Sequence, residues 1–162
     1  MKNLRRAMPM SIVLLLALLV AACGSSTGSS TPTPAANTPT PTPTTAPANV
    51  MTATATVKGQ SATILTNASG MTLYYFKPDT ATTSACTDGC ATTWPPLLMT
   101  GSGTPTSATT LSGTLTAVSS GNGNQVEYNG HLLYTYSGDT APGQTNGEGL
   151  FGKWFVATTD LK

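Results

Sequence analysis

The chain has 162 residues, of which 39% are hydrophobic, 8% charged and 6% aromatic, and its formal net charge is +1 at pH 7. An ordinary globular domain carries about 25% charged residues, so the composition excludes a coiled coil, a charged disordered tail and a basic nucleic-acid binder. Beyond Cys23, four lysines (Lys58, Lys77, Lys153, Lys162) stand against six carboxylates (Asp79, Asp88, Asp139, Asp160, Glu127, Glu148). That balance builds no cationic surface for nucleic acid or anionic lipid. One domain is the expectation at this length.

Lys2, Arg5 and Arg6 precede an apolar run over residues 12–22 that ends in small residues. This is the layout of a secretory signal over residues 1–22. The run is shorter than the roughly 20 apolar residues that a membrane-crossing helix needs. Val20-Ala21-Ala22-Cys23 resembles the bacterial lipobox, which implies that Cys23 is diacylated and becomes the first residue of the mature chain. Two acyl chains anchor stably where one binds marginally. The expected place is therefore extracytoplasmic, at the cell membrane or outer envelope, with the membrane as a partner through lipid alone. Residues 23–50 form the next segment, in which 24–49 hold Ser, Thr, Ala, Gly and six prolines (Pro32, Pro34, Pro39, Pro41, Pro43, Pro47) with no charged or aromatic side chain. Such a stretch buries too little apolar area to offset its ordering entropy. It is read as a disordered, semi-rigid tether.

The remainder, 51–162, reads as strands and turns. Residues 52–58, 61–66 and 71–76 are strand-like, the last two separated by the turn residues Asn67, Ser69 and Gly70. Residues 125–128 and 131–136 flank Asn129-Gly130, the strongest short hairpin signal because both turn positions need positive φ. No window sustains a helical period, so the predicted class is all-β, a single small domain. Offsetting the chain by 60 residues aligns Gly70, Leu73, Tyr74, Asp79, Thr80, Ala81, Gly89 and Trp94 with Gly130, Leu133, Tyr134, Asp139, Thr140, Ala141, Gly149 and Trp154. Composition alone would give about two such identities over that span, and a fixed period marks a duplicated unit. The two related hairpin units run over about 61–97 and 122–158. The duplication predicts equivalent, largely buried places for Trp94 and Trp154.

Tyr74-Tyr75-Phe76-Lys77-Pro78-Asp79 and Tyr134-Thr135-Tyr136-Ser137-Gly138-Asp139 both fit the pattern Tyr, any, aromatic, any, any, Asp. With Cys86 and Cys90 before Trp94-Pro95-Pro96-Leu97, and Tyr128-Asn129-Gly130-His131 before the second copy, the chain resembles the bacterial predicted-lipoprotein family defined by that motif, also called secreted repeat of unknown function. The resemblance implies a surface lipoprotein or secreted protein with a two-repeat body, and it carries no biochemical activity over.

Tyr74, Phe76, Tyr134 and Tyr136 sit at i and i+2 on strands, so each pair shares a sheet face while Leu73 and Leu133 point to the other. They are expected in the core, the competing reading being an exposed aromatic platform for a glycan. Asp79 and Asp139 end their strands and are expected to accept backbone N–H bonds in Asx-turns. A second reading has Asp139, Asn146 and Glu148 meeting a Ca²⁺, without EF-hand spacing. One His, no nucleophilic Ser motif and no phosphate loop give little for acid–base or nucleophilic chemistry, so no enzymatic activity is expected. Once Cys23 is lipidated, Cys86 and Cys90 form an even pair in an exported chain, and a disulfide with Gly89 supplying the tight turn is the expected state. The alternative is a copper-binding or thiol-redox protein in which the two thiolates and His131 hold Cu(I), since soft sulfur with imidazole suits copper. The leading functional expectation is a lipid-anchored envelope protein acting as a non-enzymatic binding or structural module, with an envelope ligand or protein as its partner and no cofactor.

Overall fold

The structure is a computed structural model that describes residues 49–162. The signal over 1–22, the lipidation residue Cys23 and the tether up to residue 48 lie outside the described residues. Val50, read from sequence as the last residue of the tether, is fully buried and opens the first strand.

Val50–Val57 (β1) and Gln60–Asn67 (β2) form an antiparallel hairpin closed by Lys58-Gly59, with φ of 50° and 79°. Tyr74–Phe76 (β3) follows. After a loop and the single-turn helix Gly89–Thr93 (α1), the second unit begins. Leu115–Ser120 (β4), Gly123–Tyr128 (β5) and His131–Leu132 (β6) make a three-stranded antiparallel sheet. Asn129 and Gly130 turn its β5–β6 hairpin at φ 49° and 85°. A 3-10 turn, Leu150–Gly152, leads into Trp154–Val156 (β7). The class is all-β, and a short turn lies just before the Trp of each repeat, helical in α1 and interrupted by the positive φ of Phe151 in the second. A single turn is invisible to periodicity, which needs a window of about 11 residues or more.

The units exchange strands. β3 of the first unit pairs antiparallel with β7 of the second, and Tyr134 of the second bridges Pro96 of the first. Backbone bonds repeat the exchange. Leu65 N–H donates to Ala157 O at 2.8 Å, Ala157 N–H to Leu73 O at 2.8 Å and Leu73 N–H to Leu65 O at 2.9 Å. In the second unit Val126 donates to Leu97 at 2.8 Å, Leu97 to Leu133 at 2.9 Å and Leu133 to Val126 at 3.0 Å. Neighbouring strand residues alternate faces, so two cores result. Ile64, Tyr74, Leu132 and Tyr134 enter one with Trp94 and Trp154, whereas Leu65, Leu73, Val126 and Leu133 enter the other with Val50 and Tyr128.

Candidate functional site

The motif residues meet where the two units touch. Tyr74 N–H donates to Tyr134 O at 2.8 Å and Tyr134 N–H to Tyr74 O at 2.9 Å. Contacts in which i meets j and j meets i are those of a two-fold relation, and the side chains follow it. Tyr74 Oη donates to Asp139 Oδ2 and Tyr134 Oη to Asp79 Oδ2, both at 2.6 Å. The Tyr and Asp of one motif therefore do not bond each other. Each Tyr is satisfied by the Asp of the other repeat.

The second oxygen of each carboxylate holds its own loop. Ala85 N–H donates to Asp79 Oδ1 at 2.7 Å and Asn146 N–H to Asp139 Oδ1 at 3.0 Å. The expected Asx-turns would have accepted a donor two residues on. The observed donors lie six and seven residues on, because each carboxylate is turned inward towards the opposite Tyr. Burial, followed by the bonded carboxylate, pushes both phenols far above their ordinary value of 10.0. Burial also raises Asp79 above 3.8, against the lowering effect of Tyr134 and Ala85. The phenols are thus neutral, buried donors rather than nucleophiles or proton shuttles near neutral pH.

Next to these pairs lies a column of four rings in the order Tyr136, Trp94, Trp154, Phe76. Centroid separations are 4.3, 3.8 and 4.3 Å, with the two indoles parallel to within 2°. Tyr74 abuts Trp94 edge-on at 5.5 Å and Tyr134 abuts Trp154 edge-on at 5.2 Å, the arrangement that ring quadrupoles favour. Trp94 is 3% exposed and Trp154 2%, Tyr74 and Tyr134 are fully buried, and Phe76 and Tyr136 are half-buried at the ends of the column. The motif aromatics are core residues, and the glycan-platform reading does not hold for them. Gly147 fits between the rings of Trp94 and Tyr74, where a Cβ would lie 2.8 Å from each. Sequence reasoning gave this glycine no role, since nothing local marks it within a loop of Gly, Asn and Thr.

Cys86 and Cys90 are joined by a disulfide with their Cα atoms 5.2 Å apart. The positive-φ residue of that loop is Asp88, at φ 53°, and not Gly89, which begins α1. Ser84, also unnoticed in the sequence, is the junction of the loop. Its hydroxyl lies 2.8 Å from Tyr134 Oη, accepts from Cys86 N–H at 3.0 Å and receives Asn122 Nδ2 at 2.9 Å.

His131 does not join the cysteines. Its ring lies 4.7 Å from that of Tyr75 and its Nε2 is 3.2 Å from the Lys162 carbonyl. No group of three His, Cys, Asp or Glu side chains is placed to hold a metal among the described residues. The Cu(I) trio of Cys86, Cys90 and His131 is therefore corrected: the type I′-like turn puts His131 at the β5–β6 edge, while the cysteines are bonded to each other. The Ca²⁺ reading fails likewise. Asp139 is held by Tyr74 and Asn146, and Glu148 is held by Lys58 Nζ at 3.0 Å and by Val156 N–H at 2.7 Å.

One family model matches the chain twice, over residues 55–98 and 116–158, which together exceed half of its length; its description is secreted repeat of unknown function. Each match begins earlier than the unit read from sequence identity, the first taking in the end of β1 and the second nearly all of β4. No curated protein and no solved structure matches the chain.

Proposed function

This chain belongs to the family of secreted repeats of unknown function, and from that premise we propose that it is a lipid-anchored, extracytoplasmic envelope protein whose tether displays a non-enzymatic binding or structural domain. The observation that carries the reading of the domain is the crossed pairing of Tyr74 with Asp139 and Tyr134 with Asp79. The family motif is engaged in joining the two repeats, so its chemistry is that of a scaffold. A scaffold of this kind suits display: its motif polar groups are satisfied internally, and its outer loops are left to vary.

The anchoring part rests on Val20-Ala21-Ala22-Cys23 behind an apolar run of export length. Cys23→Ser is expected to move the protein from the membrane fraction to the soluble fraction, or to leave the signal uncleaved, with loss of the acyl mass. Unchanged fractionation and mass would overturn the lipoprotein reading. The scaffold part is tested by Tyr74→Phe, which is expected to lower the melting temperature without affecting membrane attachment.

A further inference from the structure

Beside the ring column an open cleft of about 340 Å³ runs along the surface, lined by Phe76, Thr93, Trp94, Phe151, Lys153 and Trp154. The half-buried disulfide residue Cys90 also borders it. This volume lies at the small end for ligand sites, enough for one sugar ring at a time. Two features of the rim are costly to the fold. Phe151 is 83% exposed, a large apolar ring turned into water. It also holds a φ of 54°, between Gly149 at 76° and Gly152 at 66°, a backbone region that a bulky residue rarely adopts. Strain of this kind is retained where the site gains from it, and here it raises an aromatic face over the cleft. Lys153 adds a cation. The one ion pair among the described residues joins Lys58 to Glu148, so Lys153 faces the cleft with no carboxylate neutralising it.

From these observations we infer that the cleft binds a carboxylate-bearing saccharide, with Phe151 stacked on the apolar C–H face of the sugar ring and Lys153 paired to its carboxylate. A pyranose has one face of C–H groups and a rim of hydroxyls. It can lie against one aromatic ring while its hydroxyls stay in water or reach the Thr93 hydroxyl, which suits an open cleft. A purely aromatic acid would require enclosure that this cleft does not provide. The charge complement of Lys153 selects the acidic sugar over the neutral one. The inference rests on the reading of the domain as a displayed binding module and names its ligand class.

Trp94 and Trp154 are the only tryptophans of the chain and both border the cleft, so intrinsic emission reports on occupancy. Full-length protein in detergent would be titrated with trigalacturonate and with maltotriose, a neutral trisaccharide of the same α-1,4 linkage. A saturable emission change is expected with trigalacturonate, at least about fivefold tighter than with maltotriose and weakening as salt is added. Lys153→Gln should bring trigalacturonate down to the maltotriose level. Phe151→Gly should weaken binding about tenfold and raise the melting temperature by relieving the backbone. The inference is overturned by no saturable change, by equal affinity for the two sugars, by indifference to either substitution, or by a fall in melting temperature for Phe151→Gly, which would make the ring a part of the fold. If the sugar fails while Cys23→Ser still releases the protein, the display reading stands without this ligand.

Discussion

The two loops between motif Asp and Trp, residues 79–94 and 139–154, reach the same end by different means. Both start at an Asp that holds the opposite Tyr, both pass through one tight turn, and both deliver an indole to the central column. The first is closed by the Cys86–Cys90 disulfide and by Ser84, whose hydroxyl gathers Tyr134, Cys86 and Asn122. The second has Asn146 and Leu150 at the positions of the cysteines. It is closed instead by Gly147 under two rings, by Glu148 reaching Lys58 and Val156, and by Gln144 capping the Thr140–Ala141 turn. The difference shows which parts of a duplicated unit are constrained. The Tyr, Asp and Trp must match because each touches its own counterpart or its counterpart's partner across the two-fold, whereas a loop only has to bring its ends together.

The comparison breaks most visibly at the column. Trp94→Ala and Trp154→Ala should each cost about 3 to 5 kcal/mol, a large share of the stability of a small domain, and by the two-fold relation the two costs should agree. Denaturant midpoints that differ widely between them would mean that the indoles are not equivalent in energy.

The loops themselves come next. Gly147→Ala forces a methyl to within van der Waals overlap of Trp94 and Tyr74 and should cost about 2 to 3 kcal/mol. Reducing the disulfide, which closes a very short loop, should cost about 2 kcal/mol in the chain-entropy model. Thermal melts of the variant and of the reduced protein would place the two losses side by side. A reduced protein that melts unchanged would show that the polar bonds around Ser84 suffice to close the first loop.

Tyr74→Phe and Tyr134→Phe should each cost about 1 to 2 kcal/mol. The larger loss is expected at Tyr74, whose partner Asp139 is only 6% exposed while Asp79 is less buried. The same pairs set an alkaline limit. Each phenol is raised above 10.0 in the fold, so its contribution is whole below the unfolded value and is lost as pH rises through 10 and beyond, with a slope approaching about 1.4 kcal/mol per pH unit for each. Ionisation of Tyr74 and Tyr134, read as the phenolate absorbance that each Phe variant loses, should therefore appear together with unfolding, and either Phe variant should show a shallower alkaline decline. Asp79 has the same sign at acidic pH: its contribution is greatest below 3.8 and declines as pH rises through its raised value, so Asp79→Asn should flatten that limb.

The smallest effect belongs to Lys58 and Glu148. The Lys58 side chain is 63% exposed, and pairs in that setting contribute about 1 kcal/mol or less. Lys58→Met should shift the melting midpoint slightly, and less as salt is added. A large loss would show that the second loop depends on this pair as the first does on its disulfide.

Much of this molecule is set by local sequence. The strands and the Asn129-Gly130 hairpin follow from alternation and from the φ that a two-residue turn demands, and the 60-residue repeat is visible because the residues at the two-fold had to be kept in both copies. What tertiary structure alone decided is the partner of each residue. Read along one motif, the Tyr is expected in the core and the Asp on its own backbone, yet the two-fold contact of the repeats sets each Tyr against the Asp of the other copy. His131 and the cysteines look like a ligand set on paper and are held apart by separate edges of the fold. Gly147 and Phe151 carry no local signal, since the first matters only for the rings above it and the second only for a backbone angle and a cleft that other segments complete.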